Sequence, residues 1–152
     1  MDSDFYKFRT KETNQVSLHD AVVDEIKINE GRMELFFKNG FYLLDVSPDG
    51  ETLSNSAKLV IDTFGDIENI SCKVFKRFKS PFGIRMSGRE TDIHSISSKL
   101  ENNEMKLSIV DELRGYDHIY LRGTVLPYKK HGLSDMIIIE VRGRSEAEYL
   151  WN

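Results

Sequence analysis

The sequence predicts a mainly β fold, bordering on α+β: an antiparallel meander sheet of about eight strands forming a sandwich or partly open barrel, with one short α-helix near residues 91–101. Three observations predict it. Apolar and polar residues alternate at period two in run after run, as strands with one buried face require. Turn-forming groups such as Asn39-Gly40, Pro48-Asp49-Gly50 and Gly65-Asp66 punctuate those runs. Only one segment carries a convincing helical period, and the absence of strand-helix-strand alternation argues against a doubly wound sheet.

Taken in order, residues 1–15 are polar with Phe5, Tyr6 and Phe8 interspersed and show neither period, which predicts a loose N-terminal arm or a short edge strand ahead of a single β-rich domain over 16–152. Val22, Asp24, Ile26 and Ile28 alternate with their neighbours, Asn29-Glu30-Gly31 supplies a turn, and Met33, Leu35 and Phe37 alternate in return, giving a hairpin. Asn39-Gly40 suits a two-residue type I′ turn, so a strand from Phe41 to Val46 is expected to complete a three-stranded meander. A helix from a capping box at Ser17-Leu18-His19-Asp20, with Leu18, Val22 and Ile26 in phase, is the alternative for this opening; β-branched content favours strand.

Ala57, Leu59 and Ile61 alternate in a fourth strand, and Ile70 to Phe78 read as a fifth, followed by a basic loop containing Ser80-Pro81-Phe82-Gly83. Thr91 or Asp92 caps the helix, whose Ile93, Ile96 and Leu100 share a face before Asn102-Asn103 ends it. Met105 to Ile109, Ile119 to Val125 and Ile137 to Val141 give three further strands. Ser145-Glu146-Ala147-Glu148 resembles another capping box, leaving Tyr149-Leu150-Trp151 open between a short helix and a final strand.

A chain of 152 residues suits one domain able to bury roughly 70% of its unfolded surface. The longest uncharged apolar stretches, such as Met136 to Ile139, are far too short for a membrane-spanning helix. Met1-Asp2-Ser3-Asp4 lacks the basic and apolar regions of a secretion signal, and Cys72 is the only cysteine, so a reducing cytoplasm is the expected location. A net charge of −4 argues against a general nucleic-acid coat but leaves room for a local basic patch.

Sequence signatures of catalysis and cofactor binding are absent: there is no glycine-rich phosphate loop, no G-x-S-x-G, no H-E-x-x-H and no C-x-x-C. No catalytic, cofactor-binding or metal-ligating residue is assigned, and no cofactor is expected. His19-Asp20 and Asp117-His118 join imidazole to carboxylate, but neighbours on a regular strand point to opposite faces, so neither pair forms a local dyad if its strand is regular. Phe36, Phe37, Phe41 and Tyr42 flank one turn, as core or as the mouth of an apolar ligand site. The loop 128–132, Tyr128-Lys129-Lys130-His131-Gly132, names no partner by its composition.

The most distinctive segment spans 73–89. Lys73, Lys76, Arg77, Lys79, Arg85 and Arg89 contribute six cations with no anion, leaving −10 for the rest of the chain. Phe75 and Phe78 are interleaved with them. Rings among cations suit single-stranded nucleic acid, whose bases stack while its phosphates are neutralised; the same surface suits an acidic protein. The plainer alternative puts Val74 and Phe78 against the core, with Lys and Arg protecting an edge strand.

Leu18-His19-Asp20-Ala21-Val22-Val23-Asp24-Glu25-Ile26, followed by Leu35-Phe36-Phe37 and Gly40-Phe41-Tyr42, resembles small bacterial β-rich domains that open with a Leu-His-Asp-Ala strand, which are similar to immunity-type proteins of bacterial toxin systems. The resemblance is strongest over 17–78, with a looser echo in Tyr149-Leu150-Trp151. It implies a cytoplasmic, non-catalytic protein-interaction domain of immunity or regulatory type and supplies no catalytic residues. The partner expected is another protein, with a homodimer open and no membrane. Next comes a nucleic-acid-binding accessory protein using 73–89, and third a small-ligand binder or hydrolase with His19 and Asp20 near its site.

Overall fold

The computed structural model describes residues 5–44, 52–63, 67–127, 133–143 and 146–152. The predicted turns at Pro48-Asp49-Gly50 and Gly65-Asp66, the loop 128–132, and Asp45, Val46 and Ser145 lie outside the described residues. Short strands β1 (Phe8–Thr10), β2 (Val16–Ser17) and β3 (Val22–Val23) precede β4 (Glu25–Asn29) and β5 (Arg32–Phe37). Then come β6 (Tyr42–Leu43), β7 (Thr52–Leu53), β8 (Ala57–Asp62), β9 (Ile70–Ser80) and β10 (Gly83–Thr91). Helix α1 (Ile93–Glu101) leads to β11 (Lys106–Arg114), β12 (His118–Leu126), β13 (Met136–Arg142) and β14 (Ala147–Trp151). Among the described residues nine strands have five residues or more, and every pairing is antiparallel.

Three sheets result, ordered β1-β14-β8-β5-β4, β10-β9-β13-β12-β11-β3 and β2-β6-β7. Each keeps two free edges, so none closes into a barrel. Met33, Leu35, Leu59 and Ile61 of the first sheet and Leu107, Ile109, Ile139 and Val141 of the second are all at most 1% exposed and belong to one core cluster. The period-two pattern therefore did its expected work, placing one face of each sheet in a shared interior.

The β4–β5 hairpin forms where predicted. Glu30 (φ 40°) and Gly31 (φ 82°) make its two-residue loop, the positive angles that match the twist of the flanking strands. The second turn differs from expectation. Gly40 has φ 76°, and its N–H bonds to Phe37 O at 3.1 Å, but the following strand leaves the sheet. Tyr42–Leu43 pairs with β2 and β7, and β5 takes β8 as its other neighbour. The meander runs through β11, β12 and β13 instead. Gly40 is steered by Ser54, whose hydroxyl accepts the Phe41 N–H at 3.0 Å, and local alternation contains no such information.

The helical alternative for the opening gives way to β2 and β3, because Asp20 adopts φ 64°, outside any helix. Asp92 caps α1, its side chain accepting the His94 N–H at 2.7 Å, and Ile93, Ile96 and Leu100 are buried. Ser97 Oγ donates to Ile26 O at 2.6 Å, tying the helix to β4. The tail resolves as strand: β14 lies between β1 and β8, with Tyr149 fully buried and Trp151 stacked on Phe8 at 5.8 Å. Phe37 and Phe41 are packed edge to face at 5.7 Å with almost no exposure, so they are core, not the mouth of a ligand site. Among the described residues, no helix is long and apolar enough to cross a membrane.

Candidate interaction surface

The segment expected to be a basic loop is a strand. β9 turns through Pro81-Phe82 into β10, with unbroken register from Ser80↔Gly83 to Cys72↔Thr91. Proline presets the turn angle, and Gly83 takes φ 112°, a conformation costly for any residue with a Cβ. The strand was hard to read because residues 83–90 are exposed on both faces, so no buried side enforces a hydrophobic alternation. Ile84 and Met86 between Arg85, Ser87 and Arg89 were the available signal.

β13 accompanies β9 only as far as the Phe75↔Met136 pair. Beyond it the hairpin continues as a two-stranded arm, about 13 Å from Lys76 to Ser80 at 3.3–3.4 Å per residue. Arg77 braces the base, its Nε donating to Ser134 O at 2.9 Å. Phe75 packs over Gly88, where an added Cβ would lie 2.7 Å from the ring. Paired residues share a face, so Val74, Lys76, Phe78, Arg85 and Arg89 lie on the side of buried Cys72, while Lys73, Lys79, Ile84 and Met86 lie on the other.

All eight residues singled out on this segment therefore lie on one hairpin, with different roles. Lys73, Lys76, Lys79, Arg85 and Arg89 are exposed; Phe75 and Arg77 are half-buried and hold the arm together. The core reading holds for Val74, which packs against the interior, and fails for Phe78, which is 47% exposed because the core ends before it. Ile84 at 65% and Met86 at 59% stand exposed on one face of the arm, Phe78 on the other, and Phe82 at 88% at its tip. Ile84 and Met86 were missed, and they change the chemistry of the surface from cationic to amphipathic.

Between the arm and α1 lies a groove of about 250 Å³ with Val74, Ile96 and Met105 on its floor and Lys76, Arg89 and Lys99 around it. A second groove, about 450 Å³, crosses the outer face of the five-stranded sheet. Its charges pair internally, with Lys11 to Glu146 at 3.3 Å and Lys58 to Glu34 at 2.9 Å.

His19 borders a third groove of about 390 Å³. Its Nδ1 is 3.1 Å from Asp20 Oδ2, and His118 Nδ1 is 3.0 Å from Asp117 Oδ1. Both adjacent pairs meet because neither is a stretch of regular strand: Asp20 is left-handed and Asp117 precedes β12. Both are open to water, and among the described residues no third group orients either imidazole into a triad. The hydrogen bond from His118 holds the Asp117 carboxyl below the usual range. Deeper in, Glu112 accepts hydrogen bonds from Tyr149 Oη and from Arg114 Nε, the latter at 3.2 Å, and the Arg114 guanidinium lies 4.9 Å from the Tyr149 ring. Burial first, then the Glu112 charge, raises the Tyr149 phenol well above its ordinary value. Burial, aided by Asp92, pushes the Cys72 thiol up to about 12, which removes it as a nucleophile near neutral pH. Among the described residues no three His, Cys, Asp or Glu side chains come together as a metal site.

The chain matches no family model, no curated protein and no solved structure.

Proposed function

We propose that this chain is a non-catalytic protein-interaction domain, of the immunity or regulatory type and acting in the bacterial cytoplasm, that engages its partner through the β9–β10 arm. One observation carries the reading: Phe78, Phe82, Ile84 and Met86 stand exposed on a hairpin that projects past the rest of its sheet, set among Lys73, Lys76, Lys79, Arg85 and Arg89. Exposed apolar side chains rimmed by charge are the composition of protein interfaces, where the apolar centre supplies affinity and the cations select an acidic surface. Nucleic acid suits the arm less well, because Ile84 and Met86 have no π face on which a base can stack. A hydrolase suits the molecule less well still, given the solvated His19-Asp20 pair.

The test is affinity capture from the native lysate with and without nuclease, comparing the wild type with a Phe82→Ser/Ile84→Ser/Met86→Ser variant. These side chains are mostly solvated, so the variant keeps its fold. A stoichiometric protein retained through nuclease and lost with the triple variant supports the reading. Capture unaffected by the triple variant, or recovery of nucleic acid with steep salt dependence, defeats it.

A further inference from the structure

β10 is the outer strand of the six-stranded sheet, and among the described residues its only neighbour there is β9. The phase of the ladder decides which of its residues face outward. In a hairpin with a two-residue loop, the closing pair Ser80↔Gly83 is the hydrogen-bonded one, and bonded and non-bonded pairs then alternate. The same phase carries across the sheet to the Val125 N–H, which bonds to Asp135 O at 2.9 Å, and to the Ile109 N–H, which bonds to Ala21 O at 2.9 Å. Ile84, Met86, Gly88 and Glu90 therefore turn their N–H and C=O groups away from β9. Among the described residues, no backbone bond reaches them.

Proteins ordinarily blunt such an edge with shortness, a bulge, proline or charged side chains. β10 has only the last, in Arg85, Arg89 and Glu90: it is nine residues long, keeps continuous register with β9, and contains no proline. Its flanks differ. A strand laid along it would place alternate side chains beside Arg85 and Arg89 on one face and beside Ile84 and Met86 on the other.

We infer that β10 is a docking edge, to which an extended segment of a partner protein with alternating acidic and apolar residues adds as a seventh strand. The inference rests on the reading of the arm as a partner-binding surface and specifies its mode, main-chain pairing with side-chain selection. Charge argues for a foreign acidic segment over a second copy. A two-fold copy continuing the sheet must pair residues of like face, and the register that uses all of Gly83–Thr91 is centred on Ser87. It sets Arg85 opposite Arg89 twice, and like charges directly opposite are destabilising.

The probe is a blocked nine-residue peptide of alternating Glu and Val, compared with a Lys/Val peptide and with two versions N-methylated at the odd or the even residues. Binding is followed by fluorescence anisotropy and by hydrogen exchange of the full protein. The expected result is binding of the Glu/Val peptide, at least tenfold slower exchange of the Ile84, Met86, Gly88 and Glu90 amides, no binding of Lys/Val, and loss of binding for one N-methylated phase only. Met86→Pro removes an outward N–H without touching a bond to β9, so it should weaken binding at least tenfold, and Met86→Ala by much less.

Equal binding of both N-methylated peptides overturns strand addition, as does wild-type affinity in Met86→Pro. If that variant does not fold, the peptide comparison on the wild-type protein still decides. No binding by the Glu/Val peptide overturns the inference as well, while loss of a captured protein with the triple serine variant would leave the broader reading standing. A dimer by sedimentation that Met86→Pro dissociates would assign the edge to a second copy and overturn the acidic partner.

Discussion

Replacing Glu34 by methionine tests how the outer face of the five-stranded sheet is held. Lys58 Nζ lies 2.9 Å from Glu34 Oε1, with side-chain exposures of 5% and 18%, and the ammonium also sits 5.5 Å from the Tyr6 ring and 5.7 Å from the Phe36 ring. At an effective dielectric of about 20, the attraction at this separation is about 6 kcal/mol. Desolvation of several kcal/mol per ion offsets most of it, so the intact pair contributes little beyond what two apolar groups would. A single substitution is different: Glu34→Met leaves the Lys58 ammonium desolvated without its partner, costing about 3–5 kcal/mol. In a domain of this size that lowers Tm by on the order of 10 °C. Lys58→Met should cost less, since Glu34 is nearer water. The double Glu34→Met/Lys58→Met variant should lie within about 1 kcal/mol of the wild type, or above it. Urea denaturation of the four proteins gives the cycle. A double variant as unstable as the two singles combined, or a Glu34→Met cost under about 1 kcal/mol, would refute the reasoning.

Other consequences follow from single side chains. Asp92→Ala removes the cap that accepts the His94 N–H, and thermal denaturation should show a loss of about 1 kcal/mol, recovered in Asp92→Asn. Gly40→Ala should abolish cooperative folding by circular dichroism, because a Cβ at φ 76° would overlap Asn55 O and Ser54 Oγ. Cys72 should resist a disulfide reagent at pH 8 in the native protein and react quickly in guanidinium. Because folding raises its pKa from 9.0 to about 12, its contribution is complete below pH 9 and is lost as pH rises from about 9 to about 12. Cys72→Ala should remove up to about 1.4 kcal/mol per pH unit from the alkaline slope of stability.

What the sequence by itself determined is whatever rests on local rules. Period-two alternation located β5, β8, β11, β12 and β13, Glu30-Gly31 set the first hairpin, and Asp92 with Ile93, Ile96 and Leu100 set the helix, because each is decided by residues within a few positions of one another. The cation run and its rings at 73–79 were legible in the same way. Tertiary structure alone decided which strands are neighbours. Tyr42–Leu43 leaves its hairpin for β2 because Ser54, fourteen residues beyond Gly40, holds the Phe41 amide. Phe78 is exposed because β13 stops pairing at Phe75, a fact about a strand sixty residues away. Ile84 and Met86 became part of the candidate surface for the same reason. Alternation reports a buried face only where a second layer covers it, and on an arm beyond the core no layer exists to write the pattern into the sequence.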